Sequence, residues 1–177
     1  MELSSTKIYQ SERIGLFEDI LKGGSDIRVK VTGSSMFPFL NTGEIVTLKK
    51  VPPHSLRVGD ILFFKDTLGH PTLHRLIDRR QFTDGKIVFQ TKGDALIRFD
   101  EPISDDRFMG KVSKIEKINR GISQKYINLE TLGRQILNFL IAIAQRYRSR
   151  IYYVIFLRMK TKFPSVLIYY MSPVVSG

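Results

Sequence analysis

The sequence predicts a mainly-β fold, a small and highly twisted barrel or sandwich, with a short N-terminal helix and a helical C-terminal tail. Short runs rich in β-branched and aromatic residues recur between positions 27 and 118, and turn residues separate them. At both ends of the chain the apolar residues instead recur at helical spacing. The 177 residues suffice to bury a core, and the absence of cysteine excludes disulfides, a thiol nucleophile and a cysteine-based zinc site.

Residues 1–25 are expected to form an N-terminal amphipathic helix over positions 4–22, ended by Gly23-Gly24. The residues expected to share its apolar face are Leu16, Phe17, Ile20 and Leu21. The helix either packs on the rest of the protein or lies on a membrane. The first ten residues are polar, so no secretory signal peptide is expected.

Residues 26–119 are expected to form an all-β domain. The predicted strands are 27–32, 44–51, 61–65, 72–80, 86–92 and 108–118. Residues typical of turns separate them, such as Asn41-Thr42-Gly43 and Thr83-Asp84-Gly85. Six short strands at this spacing are typical of a small barrel or sandwich.

Residues 120–177 are expected to form a basic, apolar, helical extension. Its apolar runs, 132–144, 151–157 and 166–171, are each shorter than the roughly 18 residues read as a membrane-spanning helix. This extension carries nine Lys or Arg and one acidic residue, and so +8 of the net charge of +11.

A basic, aromatic-rich extension suits an anionic membrane surface, and packing on the β domain or on a partner is the alternative. Nucleic acid is disfavoured as a partner, because no helix-turn-helix pattern accompanies the charge. We therefore expect peripheral membrane association, with a cytoplasmic location as the alternative.

The turn after the first strand contains a candidate nucleophile. The strand stops at Gly33, two serines follow at Ser34 and Ser35, and Pro38 stiffens the exit. A nucleophilic serine needs such an exposed bend, with backbone N–H groups facing the developing oxyanion. The alternative is an ordinary β-turn rich in small residues.

His74 is the candidate general base, because a serine hydroxyl needs a base to take its proton. The alternation of residues 72–78 places His74 on the same strand face as Leu76, and therefore in a cleft. A histidine base also needs an acceptor for its second ring N–H, and Asp94 and Asp100 are the candidates. Taken alone, each of these residues also fits a structural role, as a core histidine or as turn aspartates.

The other two histidines, His54 and His70, lie in segments typical of loops. Together with His74 they lack a recognised metal-ligand spacing on one element. The sequence predicts neither a metal nor a cofactor.

Four segments in this order resemble the signal peptidase I family, in the branch that uses Ser-His-Asp in endoplasmic-reticulum, archaeal and some bacterial signal peptidases. They are Val31–Leu40, Leu56–Phe64, Leu73–Ile77, and Gln90–Asp94 with Asp100 beyond it. The resemblance covers roughly residues 27–115. It implies the twisted β fold that the family shares with self-cleaving repressors.

The resemblance also implies roles for individual residues. Ser35 is the nucleophile because the family places it directly before Met, and His74 stands where other relatives carry a lysine base. Asp100 matches the third member, and Asp94 then holds the turn. The separations of 39 and 26 residues between Ser35, His74 and Asp100 are close to those of the family.

Two positions depart from the family pattern. Gly33 stands where many relatives have a hydroxyl residue, so a second oxyanion donor would come from Ser34, Thr32 or the backbone. Ala95 replaces the usual asparagine. The apolar residues after the serine are expected in the core or in a binding groove, and they are Met36, Phe37 and Phe39.

The resemblance implies a serine endopeptidase that cleaves a precursor protein or a leader peptide. Two alternatives remain open: a catalytically silent membrane- or peptide-binding module on the same scaffold, and a self-cleaving regulator. A self-cleaving regulator would normally carry a lysine base and an arm ahead of the fold, neither of which the sequence suggests. A serine-reactive probe distinguishes an activated Ser35 from a silent module.

Overall fold

A computed structural model of the protein describes residues 14–119 and 123–162. In these ranges one antiparallel sheet curls into a half-barrel, with a helix at each end. The strands are β1 (Ile27–Lys30), β2 (Ile45–Lys49), β3 (Ile61–Lys65), β4 (Pro71–Gln81), β5 (Ile87–Lys92), β6 (Ile103–Ser104), β7 (Phe108–Asn119) and β8 (Ser123–Asn128). The helices are α1, described over residues 14–22, and α2 (Leu132–Lys162). The predicted mainly-β fold with a helix at each end is confirmed.

The long strand β7 connects the two halves of the sheet. The strand order is β1-β2-β7-β3-β4-β5-β6, and β8 also pairs with β7. β7 pairs with β2 along one edge, and with β3 and then β8 along the other. The register of β2 shifts between Thr47 and Leu48, and that of β3 between Phe63 and Phe64. Such irregularities bend strands, which fits the curl of the sheet.

Strand β3 is buried on both faces, which explains its uninterrupted apolar run. Ile61 and Phe63 belong to a core cluster under α1, together with residues of β1, β2 and β7. Leu62 and Phe64 belong to a second cluster with residues of β4, β5 and β7. Both clusters contact β4, the neighbour of β3, through Leu73 and Leu76.

Helix α1 packs on the first core cluster, but not through the whole face expected from its sequence. Leu21 is buried and Phe17 lies against Phe63, with ring centroids 6.3 Å apart. Leu16 and Ile20 are exposed instead, because the sheet contacts a narrower stripe of the helix. The expected end of the helix is observed, since Gly24 has the positive φ of 82° typical of a helix C-terminus.

Within the segment expected to be helical from residue 120 onward, residues 123–128 form a strand. β8 pairs with β7 from Lys114↔Asn128 to Asn119↔Ser123. The free edge of β7 offers backbone partners, and Ile127 reaches the first core cluster, so pairing decides the local structure. The third apolar run, 166–171, lies outside the described residues.

Helix α2 combines the first two apolar runs into one helix of 31 residues. It packs beside β4 through small and polar side chains, of which Asn138, Ala142 and Ser149 are buried. One face of the helix carries large apolar side chains that are exposed, although Leu132 and Ile136 also border a cavity of about 550 Å³ between α2 and the turn around Gly59. The residues of this outer face of α2 are Leu132, Ile136, Leu140, Tyr147, Ile151 and Val154, all exposed. Within the described ranges, no helix is both long and apolar enough to span a bilayer.

The backbone of α2 comes very close to the β domain at Gly59. A Cβ at this position would lie 2.6 Å from the backbone carbon of Asn138, and φ is +101°. Gly69 has a similar φ of +82°, but nothing lies within 4 Å of its Cβ position. A substitution at either glycine causes backbone strain, but only a substitution at Gly59 also displaces α2. Comparing the two substitutions therefore measures the cost of displacing α2.

We predict that Gly59→Ala lowers the free energy of unfolding more than Gly69→Ala does. Gly69→Ala should cost about 1–2 kcal/mol through its left-handed backbone. Gly59→Ala should cost about 1–3 kcal/mol beyond that, because the helix must move or the contact must be compressed. Denaturant titration of both variants measures the difference, and equal losses would contradict the close approach.

Candidate active site

The structure brings Ser35, His74 and Asp100 into one hydrogen-bonded row. His74 Nε2 lies 3.0 Å from Ser35 Oγ, and His74 Nδ1 lies 2.7 Å from Asp100 Oδ2. When Nδ1 carries the proton it donates to Asp100, and Nε2 is then free to accept from the Ser35 hydroxyl. This is the arrangement of nucleophile, base and orienting carboxylate used for acyl transfer.

The imidazole of His74 is held in a cleft by β3 and β4. His74 pairs with Leu62 across the two strands and is only 7% exposed. The ring of Phe64 meets it edge-on, with centroids 6.2 Å apart. The cleft position expected from the alternation along β4 is therefore observed.

Asp100 is held by Thr91, a residue that the sequence analysis did not single out. Thr91 Oγ1 donates to Asp100 Oδ2 at 2.7 Å, the same oxygen that faces His74 Nδ1. The backbone N–H of Asp100 also donates to the Thr91 carbonyl at 3.0 Å. A buried threonine at the end of β5 was the available signal, but its partner is separated from it by a loop.

Asp94, the other aspartate considered, binds Arg75 instead of His74. Arg75 donates to both carboxylate oxygens of Asp94, at 2.8 and 2.6 Å, and both side chains are almost fully buried. A buried bidentate pair of this kind fixes the loop that carries it. The structure thus places Asp100 next to the imidazole and Asp94 in a supporting position.

The turn around Ser35 exposes the backbone group that could stabilise an oxyanion. Among the described residues, nothing accepts a hydrogen bond from the Ser35 N–H. Gly33 borders the cavity beside Ser35, whereas Ser34 is exposed. The carbonyl of Gly33 accepts from Thr42 Oγ1 at 3.2 Å, which anchors the start of the turn.

The three apolar residues after Ser35 have different surroundings. Met36 is buried in the first core cluster and also borders the cavity beside Ser35. Phe37 is 56% exposed. The ring of Phe39 packs on the guanidinium of Arg75, 4.5 Å from the ring centroid. Met36 therefore belongs both to the core and to the wall of the cavity.

Gly93 lets the loop after β5 approach the candidate nucleophile and base. A Cβ at residue 93 would lie 2.7 Å from the Ser35 carbonyl oxygen and 3.0 Å from His74 Nε2. Any larger residue would therefore push the loop away from both. The N–H of Ala95 donates to the same Ser35 carbonyl at 2.9 Å. The loop therefore contacts the Ser35 turn directly, although Ala95 replaces the asparagine expected from the resemblance.

An apolar cavity of about 360 Å³ opens beside Ser35 and His74. Its apolar walls come from α1, β1, β3, β4 and the loop after β5, through Phe17, Val29, Phe63, Leu73 and Leu96. Among the described strands, β1 pairs only with β2, so its other edge is open for backbone hydrogen bonds. Such an edge can bind an extended peptide as an added strand.

Lys92 is a fully buried lysine close to the candidate site. Its Nζ donates to Gln145 Oε1 of α2. Burial, reinforced by the positive charge of Arg148, lowers the pKa of Lys92 to about 8, while Asp94 and Asp100 oppose this shift. The amine therefore binds its proton more weakly in the folded protein than in the unfolded chain.

The two remaining histidines have other contacts. His70 lies 3.5 Å from Asp66 in the turn before β4, and the carbonyl of His54 accepts from Arg79. In the part of the chain that the structure describes, no three His, Cys, Asp or Glu side chains are grouped so that they could hold a metal ion.

Comparison with known proteins adds no assignment. The chain matches no protein-family model, and no curated protein matches it significantly in sequence. The case for a function therefore depends on the geometry of Ser35, His74 and Asp100 and on the cavity beside them.

We predict that the contribution of Lys92 to stability increases between pH 8 and 10.5. Below pH 8 Lys92 is protonated in both the folded and the unfolded state, so the folded state bears the full cost of burying the charge. Above pH 8 the folded state loses the proton before the unfolded chain does, and this cost disappears. The stability of wild type relative to Lys92→Met should rise by about 3 kcal/mol over this window. Denaturant titrations at pH 7 and 10.5 measure it.

Lys114→Met is the matched control, because Lys114 is exposed on β7 and the substitution removes the same charge. This variant measures the effect of removing one lysine charge from the surface. If the stability difference of Lys92→Met changes with pH no more than that of Lys114→Met, the lowered pKa of Lys92 is contradicted.

Proposed function

We propose that this protein is a serine endopeptidase that resembles signal peptidase I and cleaves a precursor protein or a leader peptide. The observation that carries the proposal is the hydrogen-bonded path from Asp100 through His74 to Ser35. The three residues come from separate segments, 39 and 26 positions apart. They are the residues that the resemblance to the family selects.

The geometry supports a two-step acyl transfer. Ser35 Oγ attacks the peptide carbonyl while His74 Nε2 takes its proton, and Asp100 stabilises the resulting imidazolium through Nδ1–H. The Ser35 N–H stabilises the oxyanion. His74 then protonates the leaving amine, and a water molecule activated by His74 hydrolyses the acyl-enzyme.

The cavity beside Ser35 supports a peptide substrate. An extended chain can pair with the open edge of β1 and place alternate side chains in the apolar cavity of about 360 Å³. The cavity has room for the side chains of a short apolar stretch, and the resemblance to the family implies small residues at the point of cleavage.

The observed geometry favours this proposal over the two alternatives. In a self-cleaving regulator of the family type, a lysine would stand beside the serine. The buried Lys92 instead directs its Nζ to Gln145, and the position beside Ser35 is occupied by His74. A silent binding module would not need the bond from Thr91 that fixes the carboxylate behind His74.

We predict that Ser35→Ala abolishes peptide cleavage without loss of the fold. Removing the nucleophile should lower the rate by at least about 10³-fold, because only binding and oxyanion stabilisation remain. Mass spectrometry of products from a defined library of synthetic peptides measures the rate. Circular dichroism and thermal melting verify the fold.

Ser25→Ala is the control for this experiment, because Ser25 is exposed in the turn after α1. This variant should cleave peptide at the wild-type rate. If Ser35→Ala cleaves as fast as Ser25→Ala, the serine assignment is wrong.

We further propose that α2 binds an anionic membrane surface, so that the protein associates peripherally with a membrane. The outer face of α2 exposes six large apolar side chains along the helix, and Leu132 is 72% exposed. Residues 132–162 contain seven Lys or Arg and no acidic residue. Apolar area and positive charge on one helix are the two features that bind helices to anionic lipids.

We predict that Leu140→Glu together with Ile151→Glu weakens binding to vesicles of phosphatidylglycerol and phosphatidylcholine by at least about tenfold. Both residues lie on the outer face of α2. Each substitution removes an apolar side chain that would be buried in the lipid, and adds a negative charge that the anionic lipid repels. Sedimentation with vesicles measures the partition. The control Leu68→Glu/Phe82→Glu changes two exposed apolar residues outside α2, and equal binding by both double variants would contradict a lipid-binding role.

A further inference from the structure

Helix α2 contacts the candidate active site through one of its turns. The apolar sequence of α2 is interrupted at Gln145–Arg148, and this interruption faces the loop after β5. Polar side chains in this turn are unusual for a helix that merely packs by hydrophobic contact, since a packed face is normally apolar. The hydrogen bonds of Gln145 and Arg148 show that this turn holds the loop after β5.

Three side chains of α2 donate to backbone carbonyls of residues 94–97. Arg148 Nη2 donates to the Asp94 carbonyl at 2.8 Å and also to the Leu96 carbonyl. Gln145 Nε2 donates to the same Asp94 carbonyl at 3.1 Å. Ser149 Oγ donates to the Ile97 carbonyl at 2.7 Å. The 93–97 loop is thereby fixed to the helix at three backbone carbonyls, those of Asp94, Leu96 and Ile97.

Gln145 is itself fixed in one orientation. Its side-chain oxygen accepts from Lys92 Nζ while its nitrogen donates to the Asp94 carbonyl. The amide therefore connects the end of β5 to the first residues of the loop.

The other side of the 93–97 loop forms part of the site. The Ala95 N–H donates to the Ser35 carbonyl, and Gly93 lies against His74 Nε2. Leu96 forms one wall of the cavity beside Ser35. A shift of the loop would therefore move the nucleophile turn and the cavity wall together.

We propose that Gln145, Arg148 and Ser149 are positioning residues for the peptidase reaction, and that α2 must be docked for Ser35 and the cavity wall to take their working positions. This inference rests on the proposed function. It assigns to the C-terminal helix a task inside the active site, in addition to its outer face.

The variant Arg148→Ala tests the proposal most sharply, because Arg148 donates to two of the three carbonyls. A misplaced nucleophile should lower kcat by about 10- to 100-fold. KM should rise as well, since the Leu96 wall of the cavity moves. Arg148→Lys keeps the positive charge but offers a single donor nitrogen on a shorter side chain, so it should retain an intermediate rate. It serves as the second variant if Arg148→Ala does not fold.

Arg150→Ala is the matched control. Arg150 is an exposed arginine two positions further along α2, and its removal changes the charge equally. It should leave kcat and KM at wild-type values. If Arg148→Ala and Arg150→Ala cleave peptide equally fast, Arg148 is not a positioning residue.

Hydrogen exchange gives a readout that does not depend on activity. The Ala95 amide, which donates to the Ser35 carbonyl, should exchange at least tenfold faster in Arg148→Ala, in line with a locally opened loop. Amides of β3 and β7 should keep wild-type protection. Unchanged exchange at Ala95 would overturn the inference.

The two proposals fail in different ways. If wild-type protein neither cleaves peptides nor reacts with a serine-reactive probe, the peptidase proposal fails, and with it the catalytic task of α2. If wild-type protein is active and Arg148→Ala matches it in both rate and Ala95 exchange, only the positioning role fails.

Discussion

Arg75 is the side chain on which the arrangement of the site depends. Its fully buried guanidinium binds the Asp94 carboxylate through two hydrogen bonds, donates to the Gly59 carbonyl at 3.0 Å and packs on the ring of Phe39. These partners belong to the loop after β5, the turn that receives α2 and the segment after the candidate nucleophile. Breaking a buried ion pair costs about 3–5 kcal/mol, so these three segments are held as one unit next to His74.

The sequence predicts the parts of the molecule that depend on local pattern and order. Strand periodicity places the six main strands, and spacing and resemblance select Ser35, His74 and Asp100. Sequence reasoning does not predict Thr91 or Arg75, because a polar residue in an apolar strand gives no sign of its partner until the strands are paired. Strand β8 is missed for a similar reason, since it depends on the free edge that β7 offers.

Helix α2 shows how one segment can serve two purposes. A single helical period places polar and small residues toward the β domain and large apolar residues outward. The polar side holds the 93–97 loop, and the outer face is exposed. If both proposals hold, Tyr147 and Ile151 meet the membrane in the same helical turns in which Arg148 and Ser149 hold the active site. Membrane binding would then stabilise the docked helix and, through it, the site.

The central claim is that His74 activates Ser35. The most direct measurement is the rate at which a fluorophosphonate probe labels Ser35 in wild type and in His74→Ala, with the labelled residue identified by mass spectrometry. Loss of the general base should slow labelling by about 10²- to 10⁴-fold. Equal rates in the two proteins, or labelling at a different serine, would contradict the account.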